Sequence, residues 1–217
     1  MGRLKNTDFV VISLGGSVIS HRPEIVFELK NESDTLNKKF VLIVGGGSVG
    51  RSHIHFARKF RLSEKELHEV GIKSTLLNAF IISCAMKAKL YEGDPRLLKT
   101  SESVVMGGFK EGWTTDVCAA YSAVALGSPV LFNLSKEKGV YNKDPSKYPD
   151  AKKIDFIGFK RLYRLTRGSR VPGMNFIFDP EAARICENKG IKVVITSNVR
   201  DISAFLSGKE ISGTLVK

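Results

Sequence analysis

Cysteine is scarce in this chain of 217 residues: Cys84, Cys118 and Cys186 stand far apart, and no CxxC pair occurs. That excludes a disulfide framework and a cysteine-built zinc site, and fits a reducing compartment. Long apolar runs are missing too. None reaches the roughly 18 residues of a membrane span, so no span is expected. The opening MGRLKNTDFVV has no signal-peptide hydrophobic region, and no secretory leader is expected. Internal repeats, long linkers and low-complexity tracts are absent. Acid is in deficit: 34 Lys and Arg face 22 Asp and Glu, a formal charge of +12. Such a field draws anions without saying whether they are nucleotides, RNA or lipid head groups. With 42% hydrophobic and 26% charged residues, wholesale disorder is excluded.

What is present is a series of short apolar runs. Phe9–Leu14, Phe40–Val44, Ser103–Met106, Pro129–Leu134 and Ile191–Thr196 read as strands. Their apolar residues are continuous rather than alternating, the pattern of parallel strands covered on both faces. Helical patterns lie between them: Ser48 to Phe60, a long one from the capping box Ser63-Glu64-Lys65-Glu66 towards Leu90, Thr115 to Gly127, and Asp179-Pro180 to Gly190. Strands alternating with helix-length segments imply βαβ units. The expected fold is therefore α/β, a three-layer αβα sandwich around a mostly parallel sheet. One domain over 1–217 is expected, with lobes at about 1–128 and 129–217.

Three of these strands end in glycine: Gly15-Gly16, Gly45-Gly46-Gly47 and Gly107-Gly108. One such cluster is ordinary turn punctuation. Three together point to backbone N–H groups gathered at the carboxyl edge of a sheet, where open α/β folds bind ligands, and so to an anion site. GxxxxGK[ST] does not occur, which excludes a P-loop. Residues 45–50 satisfy GxGxxG, but the acids about twenty residues on lie on a helical pattern without a strand, against a dinucleotide fold. Arg51, four residues past Gly47, can turn a guanidinium fork on an anion held by those amides. The stretch from Gly107 to Asp116 carries Phe109, Lys110, Gly112, the lone tryptophan Trp113, Thr114 and Thr115, and reads as a substrate-recognition loop. His53 and His55 point about 200° apart on a helix and do not form a joint metal site. No metal site is expected from the protein's own side chains. The three cysteines sit in helical apolar patterns and read as packing residues.

These motifs, in this order, resemble the amino-acid-kinase superfamily and, within it, the uridylate kinases. The likeness rests on Leu14-Gly15-Gly16-Ser17-Val18, on Val44 to Ser48 with Arg51, and on Gly71-Ile72, Thr75 and Asn78-Ala79. It extends to Gly107 through Asp116, to Gly139-Val140-Tyr141 with Asp144-Pro145 and Lys152-Lys153-Ile154, and to Asp179-Pro180 with Ala182-Ala183. The resemblance implies Mg2+-dependent transfer of the ATP γ-phosphoryl group to UMP. It implies ATP binding by Gly16, Ser17, Gly47, Arg51, Ser135, Lys136, Tyr141 and Asp144. It implies UMP binding by Gly46, His68, Phe109, Lys110, Gly112, Trp113, Thr114 and Thr115. Catalytic roles fall to Lys136, Arg51 and Asp116, the last orienting the loop or a lysine.

Three positions depart from the family pattern. Ser13 stands where a lysine is common, leaving Lys136 as the main phosphate cation. His68, with Glu69 beside it, stands where an acid commonly holds the ribose hydroxyls, and Lys138 where an aspartate precedes the GVY segment. The family likeness also implies a cytoplasmic homohexamer assembled through the helix from Ser63 to Leu90. Competing expectations are an isopentenyl phosphate kinase, a non-catalytic nucleotide- or oxyanion-binding protein, and RNA binding through Lys160, Arg161, Arg164, Arg167 and Arg170 with Tyr163 among them.

Overall fold

The computed structural model describes residues 7–166 and 177–217. Arg167 and Arg170 of the basic run lie outside them. In chain order the elements are β1 (Phe9–Leu14), α1 (Gly16–His21), α2 (Ile25–Leu36), β2 (Lys39–Val44), α3 (Gly47–Arg58), α4 (Glu64–Met86), β3 (Lys89–Leu90) and β4 (Val104–Met106). Then come α5 (Thr115–Ala125), β5 (Val130–Leu134), β6 (Val140–Tyr141), β7 (Lys153–Ile154), β8 (Phe156–Ile157), α6 (Phe159–Thr166), α7 (Pro180–Lys189), β9 (Lys192–Thr196), α8 (Asp201–Leu206) and β10 (Thr214–Val216).

Eight strands form one sheet in the order β3-β4-β2-β1-β5-β9-β10-β8. Every neighbouring pair is parallel except β9 with β10. Side chains alternate across it: Val11 of β1 joins a core with Val41, Leu131 and Ile195, while Val10, Ile12 and Leu14 join another with Leu42, Phe132 and Val194. The first core is closed by α5, α6 and α7 through Cys118, Leu162 and Ala183. The second is closed by α1, α2, α4 and α8 through Val18, Leu29, Ile82 and Ile202. Two buried faces explain why the strands read as unbroken apolar runs, and the three-layer sandwich follows.

All five strands read from the sequence are present, and five shorter ones (β3, β6, β7, β8, β10) are added. Two to three residues carry too little periodicity to be read as strands. The capping box is formed: Ser63 N donates to Glu66 Oε2 (2.7 Å) and Glu66 N to Ser63 Oγ (3.3 Å), an arrangement worth about 1 kcal/mol. The helix it opens stops at Met86, short of Leu90. Lys87 turns into the left-handed region at φ 53°, and the chain then pairs as β3 with β4. α4 is long and apolar enough to cross a membrane by length and mean hydropathy, although no uninterrupted apolar run exists. Its Thr75 and Asn78 bond inward to neighbouring loops, and its charged residues are exposed. Cys118 and Cys186 are buried, and burial pushes their thiols up to about 11 and about 12. Cys84 departs from the expected pattern: it is exposed on the outer face of α4.

Candidate active site

β1, β2 and β4 are adjacent and parallel, so their glycine turns emerge side by side at the carboxyl edge. The first two turns touch. A Cβ on Gly16 would lie 2.1 Å from Gly47 N, a contact no side chain survives. Gly47 itself has φ +62°, a left-handed conformation open to glycine without strain. Ser20 secures the junction: its hydroxyl donates to Gly16 O (3.0 Å) and accepts from Ser48 N (3.1 Å).

α4 runs across the second and third turns and holds both. Asn78 Nδ2 donates to Gly45 O (2.9 Å) and Gly46 O (3.2 Å). Gly108 N donates to Thr75 Oγ1 (2.7 Å), and that hydroxyl donates in turn to Ile72 O (2.6 Å). Thr75 and Asn78, two of the family-motif residues on this helix, thus clamp the glycine turns.

Between α3, α4 and the loop after β4 lies a cavity of about 330 Å³, the lower end of the range for small-molecule sites. It is lined by Gly46, Gly47, Arg51, His68, Lys110, Gly112, Trp113, Thr114 and Thr115 among the residues expected there, and also by Thr75 and Glu111. The N-terminus of α3 opens onto it, and Arg51 sits one helical turn above Gly47 on the same helix face. Because the helix begins at Gly47, Arg51 belongs to its second turn, not its first. Trp113 is stacked on Tyr121 (4.5 Å between centroids), with Lys110 Nζ 4.3 Å from its ring centroid. Phe109 departs from expectation: it is not among the lining residues, and its half-buried ring packs against the core with Val117 and Cys118.

Asp116 is held in a network rather than set against a lysine. Its Oδ1 accepts from Ser13 Oγ (2.6 Å) and Asn133 Nδ2 (2.9 Å), and its Oδ2 from Asp179 N (3.1 Å). Burial pushes its carboxyl up to about 6, against the pull of the Ser13, Asp179 and Asn133 hydrogen bonds. Asp179 caps α7 through Glu181 N and Ala182 N, and accepts from Thr114 Oγ1 (2.9 Å). Asp116 therefore ties the start of α5 to β1, β5 and the start of α7, and Thr114 joins the loop after β4 to the same Asp179.

Gly16 and Ser17 start α1, close to Gly47. Ser135 and Lys136 follow β5, the other neighbour of β1. Lys136 is exposed there, and the Ser135 hydroxyl donates to Glu137 O (2.9 Å). Tyr141 lies in the small β6–β7 ribbon. Asp144 organises its own turn by accepting from Ser146 N and Oγ, bonds that hold its carboxyl below the usual range. Among the described residues no group of three His, Cys, Asp or Glu could hold a metal ion, and His53 faces Ser74 Oγ (3.0 Å) instead. Of the basic run, Lys160, Arg161 and Arg164 are exposed on α6, while the Tyr163 hydroxyl donates to Glu187 (3.0 Å). Ser20, Thr75, Glu111, Asn133 and Asp179 were not singled out as site residues from sequence. Thr75 and Asp179 stood in the family motifs without a site role, and Ser20, Glu111 and Asn133 are marked only by their three-dimensional partners.

The sequence profile of the amino acid kinase family matches residues 8–197. The chain belongs to that family. It is 34% identical to the uridylate kinase of Thermoplasma volcanium over 92% of this chain and 93% of that one. It is 35% identical to the uridylate kinase of Archaeoglobus fulgidus over 95% of this chain and 99% of the relative. The crystal structure of the Archaeoglobus fulgidus uridylate kinase superposes with a TM-score of 0.81, at 31% identity, over 96% of this chain and all of that one. A UMP kinase from Bacillus anthracis, 18% identical, shares the fold with a TM-score of 0.74 over 98% of this chain and 97% of that one.

Proposed function

We propose that this amino acid kinase family member transfers the γ-phosphoryl group of ATP to UMP, giving UDP and ADP. The observation that carries the reading is the backbone contact of Gly16 with Gly47 beside a mononucleotide-sized cavity. Turns that touch can hold a donor phosphate on one side and an acceptor phosphate on the other. An oxygen of the UMP phosphate attacks the γ-phosphorus, the new O–P bond forms, and the bond to the β-phosphate oxygen breaks as ADP leaves.

Such transfer asks the protein for alignment and charge neutralisation. Backbone amides of Gly46 and Gly47 and the N-terminus of α3 receive the acceptor phosphate, and Arg51 bridges towards the donor. Gly16, Ser17 and Lys136 face the donor phosphates, while Ser135, Tyr141 and Asp144 belong to the ATP nucleoside side. His68, Lys110, Gly112, Trp113, Thr114 and Thr115 surround the uridine. The acceptor half is residues up to about 128, and the ATP half 129–217. Mg2+ enters as part of the MgATP substrate, held mainly by its phosphates and neutralising the charge that develops on them.

The reading places the protein in the cytoplasm, with its two nucleotide substrates, as a homohexamer of dimers. Exposed Leu77, Phe80 and Ile81 on α4 support burial of this face by a second copy. An assay of ADP release over UMP, CMP, AMP and isopentenyl phosphate tests the function. Turnover is expected with UMP above the others. Tight nucleotide binding without turnover, or a preference for isopentenyl phosphate, would overturn the reading.

A further inference from the structure

Glu111 is the single acid among the residues lining the acceptor cavity. It stands on the loop after β4, and its Oε1 lies 3.5 Å from His68 Nδ1, which rises from the facing helix α4. The pair therefore spans two walls of the cavity. Its place along the cavity is set by α4. Thr75 is the helix residue in contact with the glycine turns, through Gly108 N and beside Gly46. His68 precedes Thr75 by seven residues, about 10 Å along an α-helix. Side chains lean towards the helix N-terminus, which carries the imidazole further from the turns.

The charge layout gives the carboxylate its partner. The glycine-turn end, with the α3 N-terminus and Arg51, suits a phosphate. A carboxylate repels phosphate and stabilises a neutral group with hydroxyl donors to offer. On a nucleoside monophosphate held by its phosphate, the free edge of the ribose presents two adjacent hydroxyls. A carboxylate accepts from such a diol with both oxygens, giving charge-assisted hydrogen bonds. A histidine at position 68 has no carboxylate of its own, but its ring N–H can hold Glu111 in place.

We propose that Glu111, positioned by His68, accepts hydrogen bonds from the ribose hydroxyls of the acceptor nucleotide and makes the enzyme select ribonucleotides over sugars that lack them. This rests on the acceptor-site reading above and assigns its sugar contact to the loop. A site built to bond a hydroxyl favours the ligand that carries it, because the analogue without it leaves those charge-assisted hydrogen bonds unmade.

The test measures dissociation constants by calorimetry, and kcat/KM, for UMP and for 2′,3′-dideoxy-UMP. Both are determined on the wild-type protein, on Glu111→Gln and on His68→Asn. Glu111→Gln is expected to weaken UMP by about 10- to 100-fold, the scale of a lost charged hydrogen bond, and to leave the dideoxy compound almost unchanged. His68→Asn should lose the same selectivity to a smaller extent. Equal weakening of both ligands, or none, overturns the assignment. Because both residues are exposed, an unchanged melting temperature is expected and separates recognition from folding. Calorimetry reads the sugar preference even without turnover, so failure of the kinase reading and failure of this one give different results.

Discussion

Ser13 Oγ donates to Asp116 Oδ1 at 2.6 Å, so the carboxylate at the centre of the sheet edge is met by a neutral hydroxyl. Asn133, opposite Ser13 in the β1–β5 register, supplies a second neutral donor to the same oxygen. Neutral donors return only part of the hydration that a carboxylate loses on burial, which is why its pKa rises.

The rise has a sign in stability. Between the unfolded value of 3.8 and the folded value of about 6, the native state binds the proton and the unfolded state does not. Stability contributed by Asp116 therefore falls as pH rises through that window and is level above it, by at most ~3 kcal/mol. Denaturant unfolding from pH 4 to 8 should show the wild type losing stability relative to Asp116→Asn up to about pH 6, with a constant gap beyond. A difference that is flat throughout, or that shifts in favour of the wild type as pH rises, would contradict this account.

Gly16→Ala places a methyl group 2.1 Å from Gly47 N. Backbone cannot rotate away as a flexible side chain would, so the two turns must part. A loss of about 1–3 kcal/mol or more is expected, together with most of the activity. Thermal unfolding and the ADP-release assay read the two effects. A variant with wild-type stability and turnover would place the turns apart in solution.

Thr75→Val keeps the shape but leaves the buried Gly108 N–H without its acceptor. The cost is about 1–3 kcal/mol for an unsatisfied buried donor. Activity with UMP should fall further than stability alone explains, because Gly108 opens the recognition loop. Unchanged KM for UMP would count against the clamp.

Lys136→Ala should lower kcat by at least ~100-fold, the scale of one transition-state charge contact. Ser13, two residues before Gly15, supplies no charge there. Near-wild-type turnover would assign the phosphate charge to another cation.

Phe80→Glu with Ile81→Glu sets two charges on the exposed apolar face of α4. Sedimentation should record a smaller species than the wild type. An identical distribution would move the assembly interface elsewhere.

The five strand readings and four of the helices were legible because they rest on local periodicity and turn chemistry, whereas α1, α2, α6 and α8 were not read. Continuous apolar runs, the Ser63–Glu66 capping box and Pro180 after Asp179 each act within a few residues, and each formed as read. The glycine clusters were legible as turns at strand ends for the same reason. That Phe109 packs on the core was not legible, because a glycine-rich loop does not reveal which of its side chains turn inward. Glu111 has no signal of its own until α4 brings His68 within 3.5 Å.

By itself, then, the chain order determined the α/β class, the glycine turns and Arg51 beside one of them, since these follow from neighbours along the backbone. Tertiary structure alone decided that Gly16 meets Gly47, that α4 fastens the turns through Thr75 and Asn78, and that Asp116 serves Ser13, Asn133 and Asp179. Those contacts join residues up to 103 positions apart. Only the closing of a sheet buried on both faces brings such groups within hydrogen-bonding range.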